Sequence, residues 1–297
     1  MKILLTGASG LVGKHLIPVL KKDNHQIVRL VRSKDQANED TVYWSPLSGE
    51  IEVDRLRHID AVIHLAGEPI MGRWTDKKKE RIRQSRADAT HFLCKQLAQL
   101  TPPPRTLIAA SAIGYYGNRP DAWIDEDAPP GTGFLPEVCS AWEEATESAR
   151  KAGIRVVNLR IGVVLSPDGG ALAQMLTPFR LGLGGKIGDG KQYMSWLTLE
   201  ELIGMIQFAL RTESLSGPVN AVAPNPVTNL EMTRILGRLV HRPTIFSVPS
   251  LAVRILFGEM GIDLLLAGAR VKPVRLSEAG YEFKHPDLEH ALGQVLT

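Results

Sequence analysis

Three glycines spaced three apart, in Thr6-Gly7-Ala8-Ser9-Gly10-Leu11-Val12-Gly13, say more about chemistry than any other feature of this 297-residue chain. They follow an apolar run, Lys2–Thr6, and open an amphipathic segment, which is the strand–turn–helix setting of a dinucleotide fingerprint. Gly7 permits the sharp turn, Gly10 lets backbone approach a pyrophosphate with no Cβ in the way, and Gly13 lets the helix sit close to the sheet. The free N–H groups and the positive end of that helix then receive the phosphate charge, which brings Ser9, Leu11 and Val12 into the site. The spacing is G-x-x-G-x-x-G rather than G-x-G-x-x-G. A second apolar run, Gln26–Val31, ends in Arg32-Ser33, where an NAD enzyme tends to carry an acid for the ribose hydroxyls. A guanidinium there can grip a 2′-phosphate and stack beside the adenine, and Ser33 adds a hydroxyl donor. The expected cofactor is therefore NADP(H). A third run, Asp60-Ala61-Val62-Ile63-His64-Leu65-Ala66-Gly67, ends in Leu65, Ala66 and Gly67, which would let the adenosine side approach. His64 reads as a packed sheet residue rather than a catalyst.

Positioning such a turn requires a parallel sheet covered by helices, and the chain alternates short apolar runs with longer amphipathic segments in that pattern. Strands are expected at Lys2–Thr6, Gln26–Val31, 61–65, 106–111, Arg155–Ile161 and 218–222. Helices are expected at 10–21, 77–99, 139–151, Leu199–Arg211 and Asn229–Leu239. The implied fold class is α/β, a Rossmann-type doubly wound parallel sheet with a small discontinuous α+β C-terminal cap. From Ser166 onward the chain is rich in Pro and Gly, as in Gly182-Leu183-Gly184-Gly185-Lys186-Ile187-Gly188-Asp189-Gly190. On that texture, residues 1–165 with about 191–222 form the NADP(H)-binding domain, and about 166–190 with 223–297 form the substrate-side cap.

Composition narrows the partners. Hydrophobic residues make up 44% and charged residues 23%, which suits a globular chain with a real core. The net charge is only +3, and the one dense basic run, Lys77 to Arg86, is interleaved with Asp76 and Glu80. A solvated helix face explains that run better than a nucleic-acid patch. Two cysteines, Cys94 and Cys139, lie in contexts unlike a metal or redox pair, so no metal is expected and a reducing, cytoplasmic compartment is. The N-terminus runs straight into the glycine motif with no cleavable leader expected, and no apolar stretch approaches a membrane span. The expected partners are a small-molecule substrate and, in a homo-oligomer, further copies of the chain; nucleic acid and membrane are not among them.

The turn at 6–13, the run ending Leu65-Ala66-Gly67 and the segment Ser111-Ala112-Ile113-Gly114-Tyr115-Tyr116-Gly117 together resemble the extended short-chain dehydrogenase/reductase superfamily. Further matches are Trp142-Glu143, Leu159-Arg160-Ile161-Gly162-Val163-Val164-Leu165, Ser195-Trp196 and Gly217-Pro218-Val219-Asn220. With Gly280-Tyr281-Glu282-Phe283 near the C-terminus, they are similar to the atypical "epimerase family" group typified by the bacterial YfcH protein. The resemblance covers nearly the whole chain and implies a Rossmann-type NADP(H) domain with a small C-terminal cap. It supplies no substrate.

One departure bears on mechanism. Members of that superfamily carry Tyr-x-x-x-Lys on the helix after the serine strand, the tyrosine as general acid/base and the lysine lowering its pKa. Here the stretch is Glu137-Val138-Cys139-Ser140-Ala141-Trp142-Glu143, and none of the five tyrosines is followed four residues on by lysine. The groups left near the nicotinamide are Ser111, to hydrogen-bond a carbonyl, Tyr115 or Tyr116 as a phenol, and Glu143 or Glu137 as a carboxylate. The glycine-rich loop before Lys191, with Gln192 and Trp196, is expected to roof the pocket. Two readings compete: an NADP(H)-dependent oxidoreductase or epimerase acting on a small, sugar-like carbonyl or alcohol, and a non-catalytic NADP(H)-binding sensor or scaffold.

Overall fold

The computed structural model describes residues 1–296; Thr297, the last residue of the expected cap, lies outside them. Four small pairings flank the main sheet: β7 (Arg119–Ile124) with β16 (Ala269–Val271), β9 (Val163–Ser166) with β12 (Trp196–Thr198), β10 (Gly185–Ile187) with β15 (Phe246–Val248), and β11 (Tyr193–Met194) with β14 (Val227–Thr228). The main sheet has eight strands: β1 (Lys2–Thr6), β2 (Gln26–Val31), β3 (Thr41–Ser45), β4 (Glu50–Ile51), β5 (Ala61–His64), β6 (Thr106–Ala112), β8 (Arg155–Ile161) and β13 (Gly217–Ala221). Their order is β13-β8-β6-β5-β1-β2-β3-β4, parallel except for the edge strand β4.

The strands form because their apolar runs are buried on both faces, as a parallel sheet demands. Ile3 and Leu5 face a layer built from Leu16 and Leu20 and from Leu202, Met205 and Ile206. Leu4, between them, faces the opposite layer of Leu93, Cys94 and Leu97. Helices therefore cover both sides, and the fold is Rossmann-type. The chain runs outward from β1 through β2 and β3, then returns to place β5, β6, β8 and β13 on the other side. That reversal puts a switch point between β1 and β5, at whose carboxyl ends such folds bind ligands.

Several elements depart from expectation. The helix at 77–99 is three pieces: Asp76–Arg83, a π turn Gln84–Asp88, and Ala89–Leu97. The helix at 139–151 starts earlier, as Phe134–Glu144, with Pro136 in the first turn where its missing N–H does no harm. It breaks before a separate Glu147–Lys151 helix, where the Thr146 hydroxyl donates to the Glu143 carbonyl at 2.6 Å. The Pro- and Gly-rich 166–190 stretch contains a helix, Gly170–Arg180, held by Leu172, Leu176 and Phe179 packed on Trp196. Trp196 is therefore wholly buried, with its indole N–H on the Asn225 carbonyl, and does not roof a pocket. Among the described residues no helix is long and apolar enough to cross a membrane.

Candidate functional site

The glycine turn is packed so tightly that its three glycines do different work. Gly7 has φ +71°, and a Cβ on it would stand 2.7 Å from the Leu65 carbonyl carbon, so the turn is tucked against the end of β5. A Cβ on Gly13 would stand 2.3 Å from the Gly7 oxygen and 2.8 Å from Ala8 Cα. Gly13 thus lets the helix Leu11–Lys22 lie against the turn itself, a closer approach than contact with the sheet. Gly10 begins that helix, and only the Gly7 oxygen, at 3.3 Å, is near where its Cβ would be. The helix has no side-chain cap and no acid in its first turn, and Ser9 and Gly10 are exposed. Its first N–H groups, from Leu11 through Val12 to Gly13, are free to meet an anion. A dinucleotide pyrophosphate fits this cradle.

Thr6 ties the two strands of the switch point together. Its Oγ1 accepts from the N–H groups of Leu65 and Ala66, both at 3.1 Å. Its O–H therefore donates to His64 Nδ1 at 2.7 Å, and His64 Nε2–H donates to Thr90 Oγ1 at 2.8 Å. Burial pushes His64 down to about 4, so the ring is neutral and structural. On the other side of β1, Arg32 stands exposed at the end of β2, with no hydrogen bond or ion pair among the described residues. Lys34 nearby is occupied by Glu50 at 3.1 Å. Ser33 precedes a short 3₁₀ turn and its side chain caps nothing.

A second cluster crosses three adjacent strands in one row. Register pairs Ser111 of β6 with Arg160 of β8, and Arg160 with Asn220 of β13. The Arg160 Nε and Nη2 donate to the two Glu143 carboxylate oxygens at 2.8 and 2.9 Å, and the Ser111 hydroxyl donates to Glu143 Oε1 at 2.7 Å. Arg160 Nη1 donates to the Tyr116 oxygen at 2.9 Å and to the Glu126 carbonyl at 3.1 Å. Tyr116 O–H in turn donates to Asn220 Oδ1 at 2.7 Å. Burial opposes the Arg160 charge, but the hydrogen bonds and charge of Glu143 outweigh it and raise its pKa. Tyr115 lies across the cluster, with the guanidinium 3.6 Å from its ring centre.

All four catalytic candidates thus meet, on unequal terms. Ser111 is only 3% exposed and its hydroxyl is committed to Glu143, so it is not open to an incoming carbonyl. Tyr116 is fully buried and burial pushes it up to about 12, which removes it as an acid near neutrality. Glu143 is clamped by Arg160 rather than poised as a free base. Tyr115 is part-exposed and its phenol oxygen has no hydrogen bond among the described residues. Cys139, four residues before Glu143, is pushed up to about 12 by burial, which leaves the thiol inert. Among the described residues no hydrogen bond or ion pair joins Glu137 to this cluster. Arg160 and Asn220 were missed as functional groups. Their signal is a charge and an amide in runs otherwise apolar enough to be buried on both faces.

A doubly wound sheet with an uncapped glycine turn at its switch point, and a polar row beside it, defines the short-chain dehydrogenase/reductase class of nucleotide-binding fold. The chain belongs to the NAD dependent epimerase/dehydratase family, whose model matches residues 3–222; residues 248–295 match a domain of unknown function. It is 44% identical over 296 residues to an epimerase family protein of Mycobacterium bovis, covering 99% of this chain and 97% of that one. Human epimerase family protein SDR39U1, crystallised with NADPH, is 32% identical with a TM-score of 0.89 over 99% of both chains. A nucleoside-diphosphate sugar epimerase from Corynebacterium glutamicum is 36% identical with a TM-score of 0.83, covering 100% of this chain and 58% of that one.

Proposed function

We propose that this chain is an NADP(H)-dependent oxidoreductase or epimerase-like enzyme acting on a small, sugar-like carbonyl or alcohol. The observation that carries the reading is the row Ser111–Arg160–Asn220, with Glu143 and Tyr115, at the same end of the sheet as the glycine turn. The turn holds the pyrophosphate, Arg32 and Ser33 take the 2′-phosphate, and Leu65, Ala66 and Gly67 leave room for the cofactor to pass. The human relative's NADPH supports that choice of nucleotide. When bound, the cofactor supplies or accepts hydride. Tyr115 presents its phenol to the substrate oxygen, and Arg160 sets positive charge against the ring from which the proton leaves. Ser111 and Arg160 hold Glu143, and so the wall of the site, in place. In this reading residues 1–165 with about 191–222 hold the cofactor, and about 166–190 with 223–297 close the substrate side.

The sealing of Ser111 and the absence of Tyr-x-x-x-Lys favour the second reading, a protein that binds NADP(H) without turnover. One measurement tests the cofactor that both readings share, and a second separates them. Titration with NADPH and NADH should give an NADPH preference that Arg32→Ala lowers by about tenfold or more, the equivalent of 1.5–3 kcal/mol for a charged hydrogen bond. A ratio unchanged by the substitution removes Arg32 from the site. A carbonyl panel followed by NADPH absorbance should show slow reduction, at least about tenfold slower in Tyr115→Phe with NADPH affinity retained. Tight NADPH binding with no substrate reduced replaces the enzyme with the sensor.

A further inference from the structure

Apolar side chains in the C-terminal part of the chain turn outward and gather on one face. Among the described residues eight large apolar side chains are at least half exposed, and all but Leu47 lie in this region. Leu181 and Leu183 stand in the loop after the helix Gly170–Arg180, and Ile245 and Phe246 lie at the start of β15. Leu251, Ile255 and Leu256 belong to the helix Ser250–Gly261. Backbone and side-chain bonds join the three pieces. Arg242 Nε donates to the Arg180 carbonyl at 3.0 Å, β10 pairs with β15, and the Gly188 N–H donates to the Val248 carbonyl at 2.9 Å, just before that helix. From 241 to 257 only Thr244, Ala252 and Val253 are not exposed.

A surface helix ordinarily turns its apolar stripe to the core. In this one Val253 is buried, and Leu251 and Ile255, one turn apart, lie on the side opposite to it. The charges around them have one sign. Residues 169–188 and 232–258 contain no Asp or Glu, in a chain with 32 acids, but hold Arg180, Lys186, Arg234, Arg238, Arg242 and Arg254. Among the described residues only Arg238 of these is met by a carboxylate, that of Glu289 at 2.8 Å. The acids that bound the second stretch are engaged, Glu231 in the cap of its own helix and Glu259 with Lys79. Arg234, Arg238, His241 and Arg242 line an open recess of about 480 Å³ that continues into Pro243 and Thr244, next to Ile245.

An apolar strip set among unneutralised cations suits an anionic surface that also admits aliphatic side chains. A second copy of the chain would set cation against cation, which opposes that pairing. Protein hot spots favour Tyr and Trp and disfavour Leu, whereas the outward residues here are Leu and Ile with one Phe, beside Arg, the composition of a helix seated at a lipid interface. We propose that this face docks on an anionic lipid bilayer, with Leu251, Ile255 and Leu256 entering the acyl boundary and Arg180, Arg242 and Arg254 meeting headgroup phosphates. A helix that lies in the interface needs no spanning run, so this partner stands against the expectation from sequence without requiring a membrane span. The proposal is independent of the cofactor reading.

The test is sedimentation of the whole protein with phosphatidylcholine vesicles, with and without about 30% phosphatidylglycerol. Binding is expected to the anionic vesicles alone and should fall as salt rises. Ile255→Asp should weaken it by at least about tenfold, and Arg254→Glu by about fivefold or more. Lys95→Glu, at an exposed cation on the helix Ala89–Leu97 of the nucleotide-binding sheet, should leave it within about twofold of wild type. All three positions are exposed, so unchanged melting temperatures report intact folding. No binding to either vesicle, equal binding to both, or binding that Ile255→Asp leaves intact overturns the proposal. A dimer, seen by light scattering, that Ile255→Asp dissolves would give the face to a second copy. Uptake of poly-glutamate in place of vesicles would give it to an acidic protein, and each of these outcomes overturns the proposal as well.

Discussion

A charged or polar side chain inside a parallel sheet has to bring its partner with it, and two buried examples here do so in opposite ways. Arg160 keeps its charge because Glu143 meets it with both oxygens. His64 has no carboxylate and stays neutral, held between Thr6 and Thr90. The sign of its pH dependence follows. The unfolded chain takes up the proton near the ordinary value of 6.5, whereas the folded protein resists until about 4. Stability is therefore full above that window and is lost as the pH falls through it, by up to about 3 kcal/mol at 1.36 kcal/mol per unit. Denaturant unfolding at several pH values should show a steeper acid loss for wild type than for His64→Asn, which starts less stable but has no proton to take up. Parallel slopes would mean that His64 is charged in the fold. The sequence identified Ser111, Tyr115, Tyr116 and Glu143 by residue type and chain order. It could not rank them, because which hydroxyl is sealed depends on Arg160, 17 residues beyond Glu143 and on another element.

At the scale of elements, the turn and the helix Leu11–Lys22 make a stronger claim than three glycines alone. Gly10→Ala and Gly13→Ala should part company. At Gly13 the new methyl would meet backbone on two sides, so the helix must shift, at about 1–3 kcal/mol, and NADPH binding should fall with stability. At Gly10 only one backbone oxygen, at 3.3 Å, is close, and the loss in stability should be about 1 kcal/mol, as for alanine at a helix start. Affinity should nonetheless fall, because the methyl occupies the approach of the pyrophosphate. Thermal melts beside NADPH titrations decide it; a Gly10→Ala protein with wild-type affinity would take the phosphate away from this turn. Six of the eight strands of the main sheet were legible because unbroken apolar runs between turn residues have few other uses. The helix Gly170–Arg180 was not, since Gly169, Gly170 and Pro178 read as loop while its burial comes from contact with distant Trp196. Nor could the π turn at Arg86 be read, because one extra residue per turn leaves the apolar spacing on either side intact.

On the scale of the whole molecule, the question is what couples the C-terminal residues to the nucleotide-binding sheet. The helix Leu199–Arg211 packs on the sheet and on the helix Leu11–Lys22, and Gln207 and Arg211 both donate to Asp23 at 2.7 Å. The chain then returns over that helix at 281–285. Glu201, wholly buried, accepts from the Tyr281 hydroxyl at 2.5 Å and from the His285 N–H at 2.7 Å. Gly204 makes this possible, since a Cβ there would stand 2.8 Å from the Tyr281 oxygen. Burial and the adjoining Glu201 both raise the Tyr281 pKa, so the phenol keeps the proton it donates. Edge-on contacts with Phe208 and Phe283, at 5.2 and 5.1 Å, fix the ring. A second link, Lys284 to Glu200 at 2.9 Å, is solvent-exposed on both sides. The two links should therefore differ in weight. Lys284→Ala removes an exposed pair worth less than about 1 kcal/mol. Tyr281→Phe leaves a buried carboxylate short of a donor, at about 1–3 kcal/mol or more, and should lower the melting temperature by several degrees. NADPH affinity should not change in either variant, because the side-chain hydrogen bonds of Tyr281 and Lys284 go to Glu201 and Glu200 and not to the glycine turn. Saturating NADPH at 100 times its Kd should then add the same stability, about 2.7 kcal/mol, to wild type and to Tyr281→Phe. An unchanged melting temperature in Tyr281→Phe would deny the buried link its role, and a weaker NADPH response would mean that the C-terminal return and the nucleotide site are energetically one unit.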